Sequence, residues 1–245
     1  GSIPLFNGAN NNYTKLIYDN INKEEFLKLR DFSNSKNGIA FYNDRYKKIF
    51  FDVVQPSRDS FSNLSAGTLS MEISSDGEKI ITNCGASENK GANPEFLRYS
   101  AAHSTIILEN TNISEIRDNQ PHIKFPQTVS FKKQLDNSIY SVEASHNGYI
   151  KNYKKIVKRK IKFIKNQNYL MGEDTIISAT SKNREVIFHI RFHILPNINV
   201  TQTNNRKNII LKTKNIMVWV FSSNKDLVLE ESVFIDKNDV KETKQ

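Results

Sequence analysis

Arg98, Tyr99 and His103 place three side chains of different chemical character within six residues. An imidazole titrates near neutral pH and carries protons, and a guanidinium grips a carboxylate through two parallel N–H bonds. His103 is therefore the strongest single candidate for a site residue, with Arg98 and Tyr99 as candidate substrate-binding groups beside it. Two readings of His103 stay open: a polar residue at the rim of a cleft, or a core histidine hydrogen-bonded to backbone. For Arg98 the alternative is an ordinary solvated side chain.

His189 and His193 have the His-x-x-x-His spacing that on a helix puts two imidazoles on one face, ready for a metal ion. Alternation and β-branched flanks place this segment on a strand instead, where four residues span about 13 Å. That is too far for direct chelation, so His193 is expected to pack and hydrogen-bond inside a sheet. Cys84 is the only cysteine, which rules out an internal disulfide. It is expected as a buried free thiol, because the sequence identifies no base to activate it.

The run Lys154-Lys-Ile-Val-Lys-Arg-Lys-Ile-Lys-Phe-Ile164 invites comparison with a nucleic-acid patch. On a strand, however, Val157, Ile161 and Phe163 share one face while Lys158, Lys160 and Lys162 share the other. The run then reads as a half-buried strand with a basic outer face, and no nucleic-acid motif accompanies it. The formal net charge of +9 suits an acidic partner, either an anionic polysaccharide or nucleic acid. Heavy use of Asn, Lys and Ile throughout also fits compositional drift. No apolar run approaches the roughly 20 residues that span a bilayer.

The elements that must position these residues are strands. Ile39 to Tyr42, Lys48 to Val54, Thr68 to Ile73 and Lys79 to Thr82 are short, rich in β-branched and aromatic residues, and separated by turn signals. Asp76-Gly77 between two alternating runs predicts a hairpin tip. Similar runs follow at Ser104 to Leu108, Thr128 to Phe131, Ile139 to Glu143, Tyr149 to Ile164, Tyr169 to Ile177, Val186 to Ile194, Ile209 to Thr213, Met217 to Phe221 and Leu227 to Ile235. More than ten strands without an intervening long helix predict an all-β fold, a large antiparallel β-sandwich. Residues 3–30 differ, with apolar residues at roughly helical spacing and Thr14 as a candidate N-cap.

Two stretches carry a family resemblance. Asn63-Leu-Ser-Ala-Gly-Thr-Leu-Ser-Met-Glu-Ile73 through Asn83-Cys-Gly85, followed by Ala102-His-Ser-Thr105, resembles the C-terminal domain of heparinase II/III-like polysaccharide lyases. Leu5-Phe-Asn-Gly8, His146-Asn-Gly-Tyr149, Gly172-Glu-Asp174 and Ile190 to Pro196 match further landmarks in the right order. The family's hairpin opens His-x-His-x-Asp, and here those positions hold Asn63, Ser65 and Gly67. By that resemblance Asn63 stands where the sandwich's catalytic His belongs, able to hydrogen-bond a carboxylate but not to transfer protons near neutral pH. In some members a zinc site is formed by the second His, an Asp at the end of the return strand and the Ala-His histidine. Ser65, Asn83 and His103 occupy those positions, so no metal and no other cofactor is expected.

The resemblance implies two regions. Residues 1–37 would be the exit segment from an N-terminal α/α toroid that this chain lacks, with Gly1-Ser2 as a cloning remnant and a boundary near Phe32 to Lys36. Residues 38–245 would be the sandwich, with 234–245 leading into a further terminal strand. Family members cleave uronic-acid polysaccharides by β-elimination, with residues from both domains. This domain is expected to be silent by itself and to close one wall of a cleft for an anionic polysaccharide, working with the toroid of the same protein. The alternative is a non-catalytic glycan-binding or structural module with a degenerate lyase site. A bacterial origin, in periplasm or cytoplasm, is implied, with neither a nucleic-acid nor a membrane partner.

Overall fold

A computed structural model of the chain describes Phe6 and residues 38–43, 46–56, 65–87, 95–116, 124–181, 184–237 and 239–245. The expected helical segment, the boundary near Phe32 to Lys36, and Asn63 lie outside the described residues.

Two sheets form the body. The first runs β1 (Ile39–Asn43), β2 (Lys47–Asp52), β3 (Met71–Ser75), β4 (Glu78–Thr82) and β12 (His193–Ile194), all antiparallel. The second has the order β10 (Tyr169–Ser178), β9 (Lys155–Ile164), β8 (Ile139–His146) and β7 (Val129–Leu135), again antiparallel. Alternation explains their facing. Ala40 and Tyr42 of β1 and Ile49 and Phe51 of β2 are buried, as are Tyr140, Val142, Val157, Ile161 and Phe163 of the second sheet. The Tyr42 ring lies 5.3 Å from that of Tyr140 and 5.2 Å from that of Phe163, so the two inner faces meet in one core. Each fully buried aliphatic or aromatic side chain contributes about 1.5–3 kcal/mol, which makes this seam the main cohesive element of the all-β sandwich.

Asp76 and Gly77 form the hairpin tip between β3 and β4, both with positive φ (52° and 83°). This is the conformation that an Asp-Gly turn favours. Three smaller sheets complete the fold: β11 (Phe188–Ile190) with β6 (Ile106–Leu108); β13 (Asn199–Gln202), β14 (Asn208–Lys212) and β15 (Val218–Ser222); and β17 (Asp239–Lys244), β16 (Glu231–Lys237) and β5 (Gly85–Ser87).

Several boundaries differ from the sequence pattern. Thr68 and Leu69 form a turn ahead of β3, and Leu69 takes φ 63° although fully buried. Its amide donates to the Asp52 carbonyl at 3.0 Å, so tertiary contacts hold a conformation that costs a non-glycine residue about 1–2 kcal/mol. The run from Tyr149 to Ile164 is broken by a helical turn, α1 (Ile150–Tyr153), which ends at a left-handed Lys154. Val186 to Ile194 divides between β11 and β12, which belong to different sheets. The last residues pair as β16 and β17.

Candidate functional site

The segment Arg98–Thr105 lies against the turn Ser65–Ser70, and hydrogen bonds join them at both ends. Ala66 N–H donates to the Arg98 carbonyl at 2.7 Å, and Ser100 Oγ donates to the Ala66 carbonyl at 2.7 Å. Thr105 Oγ1 donates to the Thr68 carbonyl at 2.8 Å. Two 3-10 turns, Glu95–Arg98 and Ser100–Ala102, deliver His103 into an extended backbone conformation.

His103 is a core residue, 4% exposed. Its imidazole rests on the backbone of Gly67: a Cβ there would stand 2.8 Å from His103 Cγ and 2.9 Å from Nδ1. Glycine is needed at this position for that close approach. Neither ring nitrogen has a hydrogen-bond partner among the described residues. The Leu97 backbone lies near enough to favour the protonated ring without reaching hydrogen-bond geometry. Burial outweighs this and lowers the His103 pKa to about 3, with nearby His193 adding to the effect. His103 is thus a neutral imidazole in the interior rather than at a rim.

Asn83, at the end of β4, is also buried, and both ends of its amide are used. Oδ1 accepts from Ser104 N–H at 2.9 Å, while Nδ2 donates to Glu72 Oε1 at 3.2 Å. Glu72 Oε2 in turn accepts from Lys79 Nζ at 2.6 Å. Ser65 is buried as well. Tyr99 Oη donates to Glu95 Oε1 at 2.9 Å, and Arg98 is partly buried in the first 3-10 turn.

Residues that the sequence pattern left out hold this segment. Arg159, 1% exposed, clamps Asp174 through two bonds, Nε to Oδ1 at 2.7 Å and Nη2 to Oδ2 at 3.0 Å. Its Nη1 donates to the carbonyls of Leu69 (3.1 Å) and Ser104 (2.8 Å). One guanidinium therefore ties β9 and β10 to both the turn and the His103 segment. Its signal was present in the sequence: within the alternating lysine run, Arg159 shares parity with Val157 and Ile161.

His193 acts from the other side. Nε2 lies 2.9 Å from the Ala101 carbonyl, which only accepts, so that nitrogen carries the proton and Nδ1 accepts from Ser232 Oγ at 2.9 Å. Burial lowers its pKa to about 4. Cys84 Sγ lies 3.5 Å from His193 Nδ1, and burial raises the thiol to about 12, which leaves it protonated and unreactive. His189 lies on exposed β11, away from this arrangement in sheet and register.

The family model for the heparinase II/III-like C-terminal domain matches residues 29–245. The chain belongs to the heparinase II/III-like family. Among solved structures it is similar to the heparan sulfate lyase HepC of Pedobacter heparinus, with TM-score 0.71 and 13% identity over 99% of this chain and 40% of that one. It is similar also to a heparinase III gene product at TM-score 0.69 and 12% identity, over 98% of this chain and 40% of that one. Another heparinase III structure has TM-score 0.68 and 11% identity, over 99% of this chain and 41% of that one. The chain thus spans about 40% of the length of the solved structures it matches. No curated protein sequence matches it.

Against the zinc site of some heparinase II/III-like proteins, the residues present do not fit. Tight binding needs three protein ligands or more of the His, Cys or carboxylate type. Here Ser65 offers a hydroxyl, Asn83 has both ends of its amide engaged, and His103 is the single good donor. Among the described residues, no group of three or more His, Cys, Asp or Glu is placed to hold a metal ion.

The basic strand β9 turns Val157, Arg159, Ile161 and Phe163 inward and Lys158, Lys160 and Lys162 outward. On the outer face Glu143 of β8 pairs with Lys132 at 3.2 Å and Lys158 at 3.7 Å. Lys160 sits in register between Glu143 and Glu173. The face carries a ladder of alternating charge with a surplus of lysine.

Proposed function

We propose that this chain is the C-terminal sandwich of a polysaccharide lyase that acts by β-elimination on uronic-acid polymers, and that it is inactive by itself. The observation that carries the reading is the family match over residues 29–245, which includes the hairpin and the Ala-His-Ser-Thr segment. β-Elimination needs a base for the C5 proton, neutralisation of the adjacent carboxylate and a proton for the leaving oxygen. Asn63 at the family's histidine position supplies no base. The interior, neutral His103 has no proton route among the described residues. Catalysis therefore falls to residues of the longer parent, while the sandwich contributes a wall with surplus positive charge, Arg98 and Tyr99 among its candidate contacts.

A second reading, a non-catalytic glycan-binding or structural module, is favoured by one specific observation. Asn83 is committed to structural hydrogen bonds at a position where some members of the family place a ligand. Incubation of the chain with heparin, heparan sulfate and alginate separates the alternatives, with ultraviolet absorbance following the unsaturated uronate product. The expected result is no product, with weak binding that falls as salt rises because charge attraction is screened. Turnover by the chain that disappears in Asn63→Ala overturns its inactivity. Binding that is absent at low salt removes the polysaccharide-facing role.

A further inference from the structure

We propose that the chain Lys79–Glu72–Asn83–Ser104 is a metal-free brace: it ties the end of β4 to the His103 segment, the cross-link that an ion bridging positions 83 and 103 makes in zinc-binding relatives. The polarity of one amide decides which of the two the locus can hold. Asn83 accepts from Ser104 N–H through Oδ1 and donates to Glu72 through Nδ2, two opposite roles that a carboxylate cannot combine. An Asp at position 83, the ligand in zinc-binding members, would face the buried carboxylate of Glu72, which is 1% exposed. The brace and an Asp-based metal site are thus mutually exclusive, and Glu72 is the residue that makes them so. Lys79 completes the arrangement by neutralising Glu72, at 2.6 Å. Gly67 fixes the position of His103 at the far end of the brace. Even a Cβ there would collide with the imidazole, so an acidic side chain at that position displaces His103.

The inference holds whether or not the parent protein cleaves a polysaccharide, and its test is thermal unfolding of the chain with and without excess zinc or chelator. The unsubstituted chain is expected to keep one midpoint in all conditions. Asn83→Asp is expected to lower the midpoint by about 5 °C through an unpaired buried charge, with no recovery on adding zinc. Glu72→Gln alone is expected to lower it as well, because the introduced amide then turns its NH₂ toward either Lys79 or Asn83. The double variant Glu72→Gln/Asn83→Asp is expected to regain most of the loss, since the introduced amide can accept from Lys79 and donate to the introduced carboxylate. If Asn83→Asp does not fold, the double variant remains informative through its own midpoint. A midpoint that rises with zinc in the unsubstituted chain, an Asn83→Asp variant as stable as its parent, or a double variant no better than the worse single variant overturns the proposal.

Discussion

The Ser65–Thr105 locus and the outer face of β9 both attract attention as sequences rich in polar and charged groups, yet the fold treats them oppositely. At the first, polar side chains point inward and are spent on the main chain: Ser100, Ser104, Thr105, Asn83 and His193 each close a hydrogen bond that fixes backbone. At the second, lysines point outward, with exposed pairs such as Lys132–Glu143 at 3.2 Å and Lys158–Glu143 at 3.7 Å. A polar residue is thus a structural element where burial makes its bonds costly to lose, and a free agent where water competes for it. Substitutions at the locus should change stability, and substitutions on the lysine face should change binding.

The largest effect is expected at Arg159. Removing it leaves the Asp174 carboxylate without its main counter-ion and frees two carbonyls. Arg159→Ala is therefore expected to lose about 3–5 kcal/mol, read as the shift in denaturant midpoint. Replacing both partners, Arg159→Leu/Asp174→Leu, should cost less than Arg159→Ala alone. A loss under about 1 kcal/mol would place Arg159 with the surface charges.

Acid comes next. His103, His146 and His193 have folded pKa values of about 3, 3 and 4, depressed chiefly by burial. A depressed histidine binds its proton more readily in the unfolded chain. Its contribution is complete above the unfolded value near 6.5 and is lost as pH falls toward the folded value. At pH 5 each is expected to cost about 2 kcal/mol. Denaturation midpoints measured from pH 7.5 to pH 5 should fall steeply, and a flat profile would mean that these rings reach solvent.

Ser104→Ala is a smaller perturbation at the same locus. It removes the acceptor of the His193 amide (2.9 Å) and the donor to the Thr82 carbonyl (2.5 Å), with an expected cost of about 1–3 kcal/mol. The smallest effect on stability belongs to Lys158→Ala/Lys160→Ala/Lys162→Ala, whose thermal midpoint should stay within about 2 °C of the parent. Its low-salt binding to heparin should weaken all the same. Equal affinity would show that this face is not the one that meets polyanions.

Short-range pattern made part of this legible. The hairpin at Asp76-Gly77 and the inward and outward parity of β9 follow from period-two alternation and a turn dipeptide, which need no knowledge of the rest of the chain. Leu69 does not follow: nothing in Thr68-Leu-Ser70 announces a left-handed residue, because Asp52 and Arg159 impose it from 17 and 90 positions away. The division of Val186 to Ile194 has the same origin. Its alternation is continuous, but β6 and β4 claim successive parts of it for different sheets. The resemblance located Ser65, Asn83 and His103 but not what they do, since the role of Asn83 depends on Glu72 and that of His103 on Gly67.

Gly85 has a consequence for how the molecule opens. Its φ of 88° and its missing side chain let the Ile235 carbonyl approach to where a Cβ would be, 2.0 Å away, so β16 can run parallel to β5 over Cys84. The only thiol is thereby sealed by a strand that lies 148 residues later, at Ser232. While β16 is docked, the thiol stays protonated at pH 8. Once the strand lifts, it regains an ordinary pKa near 8.5 and alkylates freely. The rate of Cys84 modification under native conditions is then a clock for detachment of the C-terminal hairpin. Comparing that rate with global unfolding tells whether the last strands leave alone or only when the whole sandwich melts.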